Sequence, residues 1–277
     1  MVRIVSKKEI APHVFSMVVQ APLVAKKAKP GQFLILMVHE RGERIPLTIA
    51  DYDRERGTIR MVFEVVGKTT AMLSKLNEGD ELFSLVGPLG IPSEIDNYGT
   101  VIVVGGGIGV APVYPIAREL KAAGNRVIGI IGARTKELLI MEEEMKRVTD
   151  RLLVTTDDGS YGQKGFVTGP LAEVLRSGEE VKKIWAIGPA VMMKAVCDVT
   201  RPYGVETITS LNATMLDGTG MCGTCRVSVG GQTKFACVDG PEFNGHLVDW
   251  VEFINRLSRY KPQERLAYEL YKKSSGG

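Results

Sequence analysis

Residues Val101–Pro112 read VIVVGGGIGVAP, and this stretch decides the fold of the middle of the chain. Four consecutive β-branched apolar residues suit a central parallel strand, which is covered on both faces and needs no polar alternation. The glycines then permit a tight turn. VYPIARELKAAG, residues 113–124, follows with helical apolar spacing and stops at Gly124, a suitable terminating glycine. Strand, glycine turn and helix in this order bring backbone N–H groups up to a pyrophosphate, with Gly106, Gly107 and Gly109 allowing the approach. The spacing is not the GxGxxG fingerprint, because Pro112 stands where its third glycine would be.

Toward the C-terminus the strand pattern recurs at RVIGIIGA (126–133), RLLVTT (151–156) and KKIWAIG (182–188), with helical stretches between. Residues 99–204 are therefore expected to form an α/β unit with a mostly parallel sheet. Three strand ends carry candidate contacts: Gly132-Ala133-Arg134-Thr135, then Thr156-Asp157-Asp158-Gly159-Ser160, then Gly188-Pro189-Ala190-Val191-Met192. Ligands of open parallel sheets bind beyond the carboxyl ends of strands, where these loops gather. The alternative is a structural glycine turn that binds nothing.

Toward the N-terminus, residues 1–98 hold short apolar runs (VRIV, HVFSMVVQ, FLILMV, RMVFEVV, DELFSLVG) separated by turn signals such as Lys29-Pro30-Gly31 and Gly79-Asp80. Regular short strands of this kind predict an antiparallel barrel or sandwich. Two places there carry chemistry. Arg44, Pro46, Leu47 and Thr48 set a cation, a rigid turn and a hydroxyl close together, as a dinucleotide needs. Val66-Gly67-Lys68-Thr69-Thr70 opens a short helical pattern whose first N–H groups favour a pyrophosphate. Taken alone, the same residues are also a surface arginine and an ordinary helix cap.

Residues 205–245 contain three of the four cysteines: Cys222, Cys225 and Cys237, spaced C-x2-C-x11-C, with Asp217 five residues before the first. Plant-type iron–sulfur spacing would put a cysteine where Asp217 stands. A zinc site could instead combine the three cysteines with His246. Gly218, Gly220 and Gly223 favour a loop wrapped closely around a cluster. RVSV and QTKF around Gly230-Gly231 predict a hairpin that returns Cys237 to the loop. Asp217 competes with Cys197 for the fourth position, but Cys197 falls in the apolar helical pattern VMMKAVCDV and there suits a buried free thiol. In residues 246–277, Leu247, Val248, Trp250, Val251, Phe253, Ile254 and Leu257 require burial, against the chain itself or against another subunit.

The chain has 277 residues, with 35 Lys+Arg against 32 Asp+Glu. A net charge of +3, dispersed along the sequence, argues against nucleic acid. No apolar run reaches membrane-spanning length and the N-terminus lacks a signal-peptide pattern, so a soluble cytoplasmic protein is expected. Clustered cysteines there favour metal ligation over disulfides.

Taken in order, GGGIGVAP, TTDDGSYGQKGFVT, AIGPAVMM and CVDGPEF resemble the ferredoxin–NADP reductase superfamily. The branch is the one that joins a flavin barrel, a nicotinamide domain and a C-terminal [2Fe-2S] segment. It includes the electron-transfer subunit of dihydroorotate dehydrogenase. RIPLTIAD, the D-x4-C start and the longer tail look most like the small subunit of NADH-dependent ferredoxin:NADP oxidoreductase, also called sulfide dehydrogenase subunit beta. The likeness covers roughly residues 1–245. It implies FAD on a barrel of residues 1–98 and NAD(H), with NADP(H) possible, on an α/β domain of residues 99–204. It also implies a [2Fe-2S] segment over 205–245 and a helical tail over 246–277 that contacts a larger flavin and iron–sulfur subunit. Arg44, Pro46, Leu47 and Thr48 would lie along the flavin, and Val66, Gly67, Thr69 and Thr70 at its pyrophosphate. Asp217, Cys222, Cys225 and Cys237 would ligate iron. The implied activity is electron transfer between NAD(H), FAD and the cluster within an electron-bifurcating heterodimer, with no acid–base residue required. The superfamily's R-x-[YF]-[ST] spacing is one residue longer here and its aromatic is Leu47. Rival readings are a dihydroorotate dehydrogenase subunit, a stand-alone NAD(P)H reductase, and a zinc-stapled nucleotide-binding regulator.

Overall fold

The computed structural model describes residues 2–275. Antiparallel pairing joins the seven strands of the N-terminal unit: β1 (Val2–Ala11), β2 (Val14–Gln20), β3 (Phe33–Met37), β4 (Ile45–Asp53), β5 (Thr58–Glu64), β6 (Glu81–Leu82) and β7 (Ser84–Leu89). Helices α1 (Pro22–Lys27) and α2 (Lys68–Lys75) interrupt them. The order is β6-β1-β2-β5-β4-β3-β7. Its two edge strands are separated in sequence by Phe83 alone, so the sheet curls to a nearly closed barrel around Met17, Leu34, Leu36, Ile49, Met61 and Phe63.

Strand β4 corrects one expectation. Residues 45–53 are extended throughout, where a rigid turn was expected at Pro46. Residues 45–48 pair only with β3 and residues 49–53 only with β5, with a register shift at the change. Proline is tolerated at Pro46 because that half of the strand has a single neighbour. The other edge of the same half borders the cleft described below.

The second sheet has the order β11-β10-β9-β8-β12-β13-β16. Its strands are β8 (Thr100–Gly106), β9 (Arg126–Ala133), β10 (Arg151–Thr156), β11 (Gln163–Lys164), β12 (Val181–Ile187), β13 (Glu206–Ser210) and β16 (Glu242–Asn244). All neighbours are parallel except β13 with β16. Helices α3 (Val110–Ala122), α4 (Glu142–Val148), α5 (Thr168–Arg176) and α6 (Ala190–Thr200) cover its faces. The first strand, β8, is central, and the chain turns back across it to place β12. This reversal is the switch point at which α/β sheets bind ligands.

The parallel sheet runs past residue 204, where the sequence reading divided the chain. Strand β13 escapes an apolar pattern because its inward residues are Thr207 and Thr209. Their burial is allowed by hydrogen bonds, from Thr207 Oγ1 to Thr200 Oγ1 (2.7 Å) and from Thr209 to the Phe243 carbonyl (3.4 Å). Strand β16 then returns from beyond the cysteines to pair with β13, which fastens the cysteine segment to the sheet.

Barrel and sheet share a core: Ala11, Val14, Ala50 and Val62 pack with Val110, Val113 and Ala117 of α3. At its margin Arg118 pairs with Asp51 and lies over the Tyr52 ring, 5.1 Å from its centroid. The hairpin of β14 (Arg226–Val229) and β15 (Gln232–Phe235) forms in the expected register, Arg226 opposite Phe235. The tail folds back on its own chain in part, and Leu247 and Val251 stay exposed. In α7 (Trp250–Ser258), Trp250 and Phe253 are buried in one core with Cys225, Ala236 and Cys237. Asp249 caps that helix by accepting from Glu252 N at 2.9 Å. Helix α8 (Lys261–Ser275) lies against α2, with Lys75 Nζ 4.9 Å from the Tyr271 ring centroid.

Candidate functional site: a shared cleft and a cysteine loop

A cleft of about 1000 Å³ opens between the barrel and the carboxyl ends of the parallel strands. This is the upper end of ordinary ligand pockets and has room for a dinucleotide. The barrel wall is Ile45–Thr48 on the free edge of β4, with Phe63, Glu64, Val66 and Thr70. The facing wall carries Gly106, Gly107, Gly109 and Pro112, then Arg134, Asp157, Gly188 and Pro189. Motifs separated by more than a hundred residues thus meet in one cavity.

The glycine turn is shaped by two different requirements. Gly107 has φ +54 with nothing within 4 Å of a built Cβ, so the backbone conformation demands glycine there. Gly109 has φ −65, open to any residue, but a Cβ would meet the Ile187 backbone, its carbonyl carbon at 2.6 Å. Close approach of α3 to the end of β12 demands that glycine.

Other predicted residues lie outside the cleft. Arg44 is exposed before β4 and does not line it. Gly67 and Thr69 sit behind the wall; the Thr69 hydroxyl donates to the Glu43 carboxylate. Thr70 Oγ1 accepts from Val66 N and Gly67 N, both at 3.1 Å, and so caps α2. Asp158 and Gly159 shape the turn after β10: Asp158 Oδ1 accepts from Ser160 N (2.9 Å) and Oγ (2.7 Å). Those bonds hold the Asp158 carboxyl below its ordinary range.

The sequence reading missed Phe63, Phe166 and the loop Ser210–Ala213. That loop follows β13, and once the strand is recognised its position at a carboxyl end marks it.

The cysteine loop borders the same cavity, which Ala213, Met215 and Pro241 help to line. Gly218 packs against Leu89 and Ile35 of the barrel. Cys225 and Cys237 are buried with their sulfurs 3.2 Å apart. Two thiolates on one tetrahedral metal at 2.3 Å would stand about 3.8 Å apart, so a small separation admits a metal. Burial and the Cys225 contact push the Cys237 thiol up to about 12. Such a thiol stays protonated unless a metal claims it.

Cys222 is exposed. Partial burial raises its thiol, but hydrogen bonds with Thr224 outweigh this and hold it below the ordinary value. Asp217 accepts from Thr219 N (2.8 Å) and Cys222 N (2.7 Å), which lowers its carboxyl. It therefore acts as a turn carboxylate. Gly218, Gly220 and Gly223 all have positive φ, as the tight loop requires. No group of three or more potential ligands converges among the described residues.

His246, the alternative zinc ligand, is engaged by Thr200 Oγ1 at 2.8 Å on the far side of β13. Cys197 is buried in α6, its thiol pushed up to about 12 by burial. The Cys225–Cys237 pair stands close enough to share a metal, while Cys222 and Asp217 lie in the same loop without converging on it. Among the described residues no helix is long and apolar enough to cross a membrane.

Comparison with known proteins agrees with this geometry. The iron–sulfur cluster binding domain of dihydroorotate dehydrogenase B matches residues 212–249, and the oxidoreductase NAD-binding domain matches residues 103–198. The chain is 54% identical over 273 residues to a dihydroorotate dehydrogenase B (NAD(+)) electron transfer subunit homolog of Thermotoga maritima, covering 99% of this chain and 96% of that protein. It is 35% identical over 249 residues to the electron transfer subunit of Streptococcus mutans, covering 87% and 94%. Among solved structures, a chain of NADH-dependent reduced ferredoxin-NADP oxidoreductase, studied for flavin-based electron bifurcation, superposes with a TM-score of 0.92 at 53% identity over 97% of both chains. A ferredoxin NADP+ reductase from Neisseria gonorrhoeae with bound FAD and NADP shares the fold, with a TM-score of 0.60 at 18% identity over 73% of this chain and 90% of that one. The chain belongs to the family of dihydroorotate dehydrogenase B electron transfer subunits.

Proposed function

We propose that this chain is an electron-transfer subunit that moves electrons between NAD(H), FAD and a [2Fe-2S] cluster and exchanges them with a larger flavin and iron–sulfur partner. The observation that carries this reading is the single cleft in which the free edge of β4, the glycine turn and the cysteine segment meet. FAD supplies the exchange between two-electron and one-electron chemistry, and the cluster holds electrons singly.

The residues divide the work. Pro46, Leu47 and Thr48 form the wall that would face the flavin ring, and Val66 and Thr70, which line the cleft at the start of α2, would lie at its pyrophosphate. Arg44 reaches the phosphates from the rim. Gly106, Gly107 and Gly109 admit the nicotinamide nucleotide, while Arg134 and Asp157 face its ribose end. A carboxylate at Asp157 beside the ribose would disfavour a 2′-phosphate and so favour NAD(H) over NADP(H). Cys222, Cys225 and Cys237, with Asp217, would hold the iron of the cluster. Excluding water and positioning rings is the catalytic task, so no general acid or base is needed. Free thiols fit a cytoplasmic site.

Flavin, iron and acid-labile sulfide analysis of the purified chain tests this directly. One FAD with two irons and two sulfides is expected; zinc without flavin would overturn it. The electron transfer subunit of dihydroorotate dehydrogenase is the second reading, favoured by the relative in Streptococcus mutans. Reduction by dihydroorotate of the complex with its partner would select it.

A further inference from the structure

One side of the glycine turn is covered by a thioether. Met192 stands in the first turn of α6, where its backbone N–H donates to the Pro189 carbonyl at 2.9 Å. Its side chain lies on the ends of two strands at once. A Cβ on Gly106, the last residue of β8, would overlap the Met192 sulfur. A Cβ on Gly188, just past β12, would stand 2.7 Å from Met192 Cε and 3.0 Å from its sulfur. Gly106 has φ −115 and ψ 124, which any residue adopts, so the thioether and not the backbone requires glycine there. Gly107, one residue on, meets nothing within 4 Å.

Strands β8 and β12 are neighbours at the reversal of strand order, and ligands of such sheets lie in the crevice beyond their carboxyl ends. Met192 and both glycines line the cleft at that point. A nicotinamide ring brought against Gly106 and Gly188 and the Met192 thioether therefore compete for one space. The contacts at the turn differ in how they yield. Gly109 meets Ile187 backbone to backbone, and that approach is fixed. Met192 makes its contact with the end of an unbranched side chain that has three rotatable bonds and no hydrogen bond to break. Met192 also packs against the core of Ile102, Val104 and Val196 and against that of Cys225, Cys237 and Phe253. The turn of α6 that carries it is thus anchored, and the thioether is the part that moves.

We propose that Met192 is a displaceable cover of the nicotinamide crevice: its thioether rests on Gly106 and Gly188, swings aside when NAD(H) enters, and so sets the affinity and association rate for the nucleotide. While it rests there it keeps water from the floor of the crevice. The cost of opening is carried by every binding event, because only the open fraction of the protein accepts the ring. The proposal rests on the NAD(H) reading above.

The test uses the FAD-loaded chain and NAD+, which binds without reducing the flavin. With a crevice open about one tenth of the time, Met192→Ala should lower the dissociation constant for NAD+ about tenfold, read by calorimetry. The gain should appear in the association rate constant, read by stopped-flow of the flavin absorbance, with dissociation little changed. ADP-ribose, which lacks the nicotinamide, should bind wild type and variant alike. If Met192→Ala failed to retain FAD, Met192→Val would carry the same test, since it keeps an apolar side chain on α6 but ends short of Gly106. The contact itself is read by urea unfolding. Gly106→Ala should lower the midpoint in the wild-type background and much less in Met192→Ala, where the next neighbour of the new Cβ, Pro189 Cδ, stands at an ordinary 3.5 Å. NAD+ binding unchanged or weakened in Met192→Ala would overturn the cover, as would an equal gain for ADP-ribose or an equal cost of Gly106→Ala in both backgrounds. A FAD-loaded wild-type chain that bound no NAD+ would overturn the nucleotide reading, and the cover with it.

Discussion

Gly109→Ala probes the close approach of the glycine turn to β12. At φ −65 and ψ −11 alanine costs nothing in backbone conformation, and it is the better helix former at the start of α3. The penalty comes from space alone. The new Cβ would stand 2.6 Å from the Ile187 carbonyl carbon and 2.8 Å from Gly188 Cα, both backbone atoms that no rotamer change can move. The Ile187 carbonyl oxygen lies nearer still, so reaching ordinary contact at about 3.4 Å requires a shift of at least about 0.8 Å between turn and strand, an overpacking cost of about 3 kcal/mol. A displacement of that size at a nucleotide turn should slow flavin reduction at low NADH about 100-fold. Gly107→Ala is the counterpart: it has open space but φ +54, so it should cost about 1–2 kcal/mol through conformation alone. Urea unfolding followed by circular dichroism gives the stabilities, and stopped-flow reduction by NADH gives the rates. If Gly109→Ala matched the wild type in both, close approach would not be the reason for that glycine.

Glu242 keeps some exposure as a residue, but its carboxyl turns inward to accept from Ser93 Oγ at 2.6 Å, and burial pushes it up to about 7. A carboxyl raised above 4.5 in the native state binds more protons there than in the unfolded chain, so stability falls as pH rises from 4.5 to 7 and then levels off. Glu242→Gln should therefore gain up to about 3 kcal/mol over the wild type at pH 8, and the gain should vanish near pH 4 in urea titrations at both pH values. Phe253→Ala removes a buried ring from the core that holds Cys225 and Cys237. It should cost about 3–5 kcal/mol and lower the iron content of the purified chain. Asp157→Asn removes one negative charge from the cleft wall and should raise kcat/KM for NADPH about tenfold relative to NADH, measured as anaerobic flavin reduction.

Much of the fold was legible where the physics is local. Val101–Val104 is apolar because β8 is covered on both faces, and the hairpin at Gly230-Gly231 follows from turn chemistry. Other parts depend on tertiary context. Strand β1 continues through Lys7, Lys8 and Glu9, beyond its small overlap with β6, and Lys8 and Glu9 are exposed. Strand β13 hides its inward face in two hydrogen-bonded threonines. Pro46 argued against a strand until the change of partner along β4 supplied a one-sided edge. The cleft loops were legible because carboxyl ends of parallel strands converge by topology. The bonds that occupy Thr69, Thr70 and Asp158 arise from side-chain geometry that spacing does not carry. The same holds for Met192, whose thioether reaches Gly106 from the helix that follows β12.

The division of labour between cleft and cysteine loop is tested most directly by anaerobic titration of Cys222→Ser with NADH, followed by visible absorption and electron paramagnetic resonance. The variant should bleach its flavin with one equivalent of NADH as the wild type does, and should lose the signal of a reduced [2Fe-2S] centre and electron delivery to the partner. A folded, FAD-replete variant whose flavin no longer accepts electrons from NADH would contradict it.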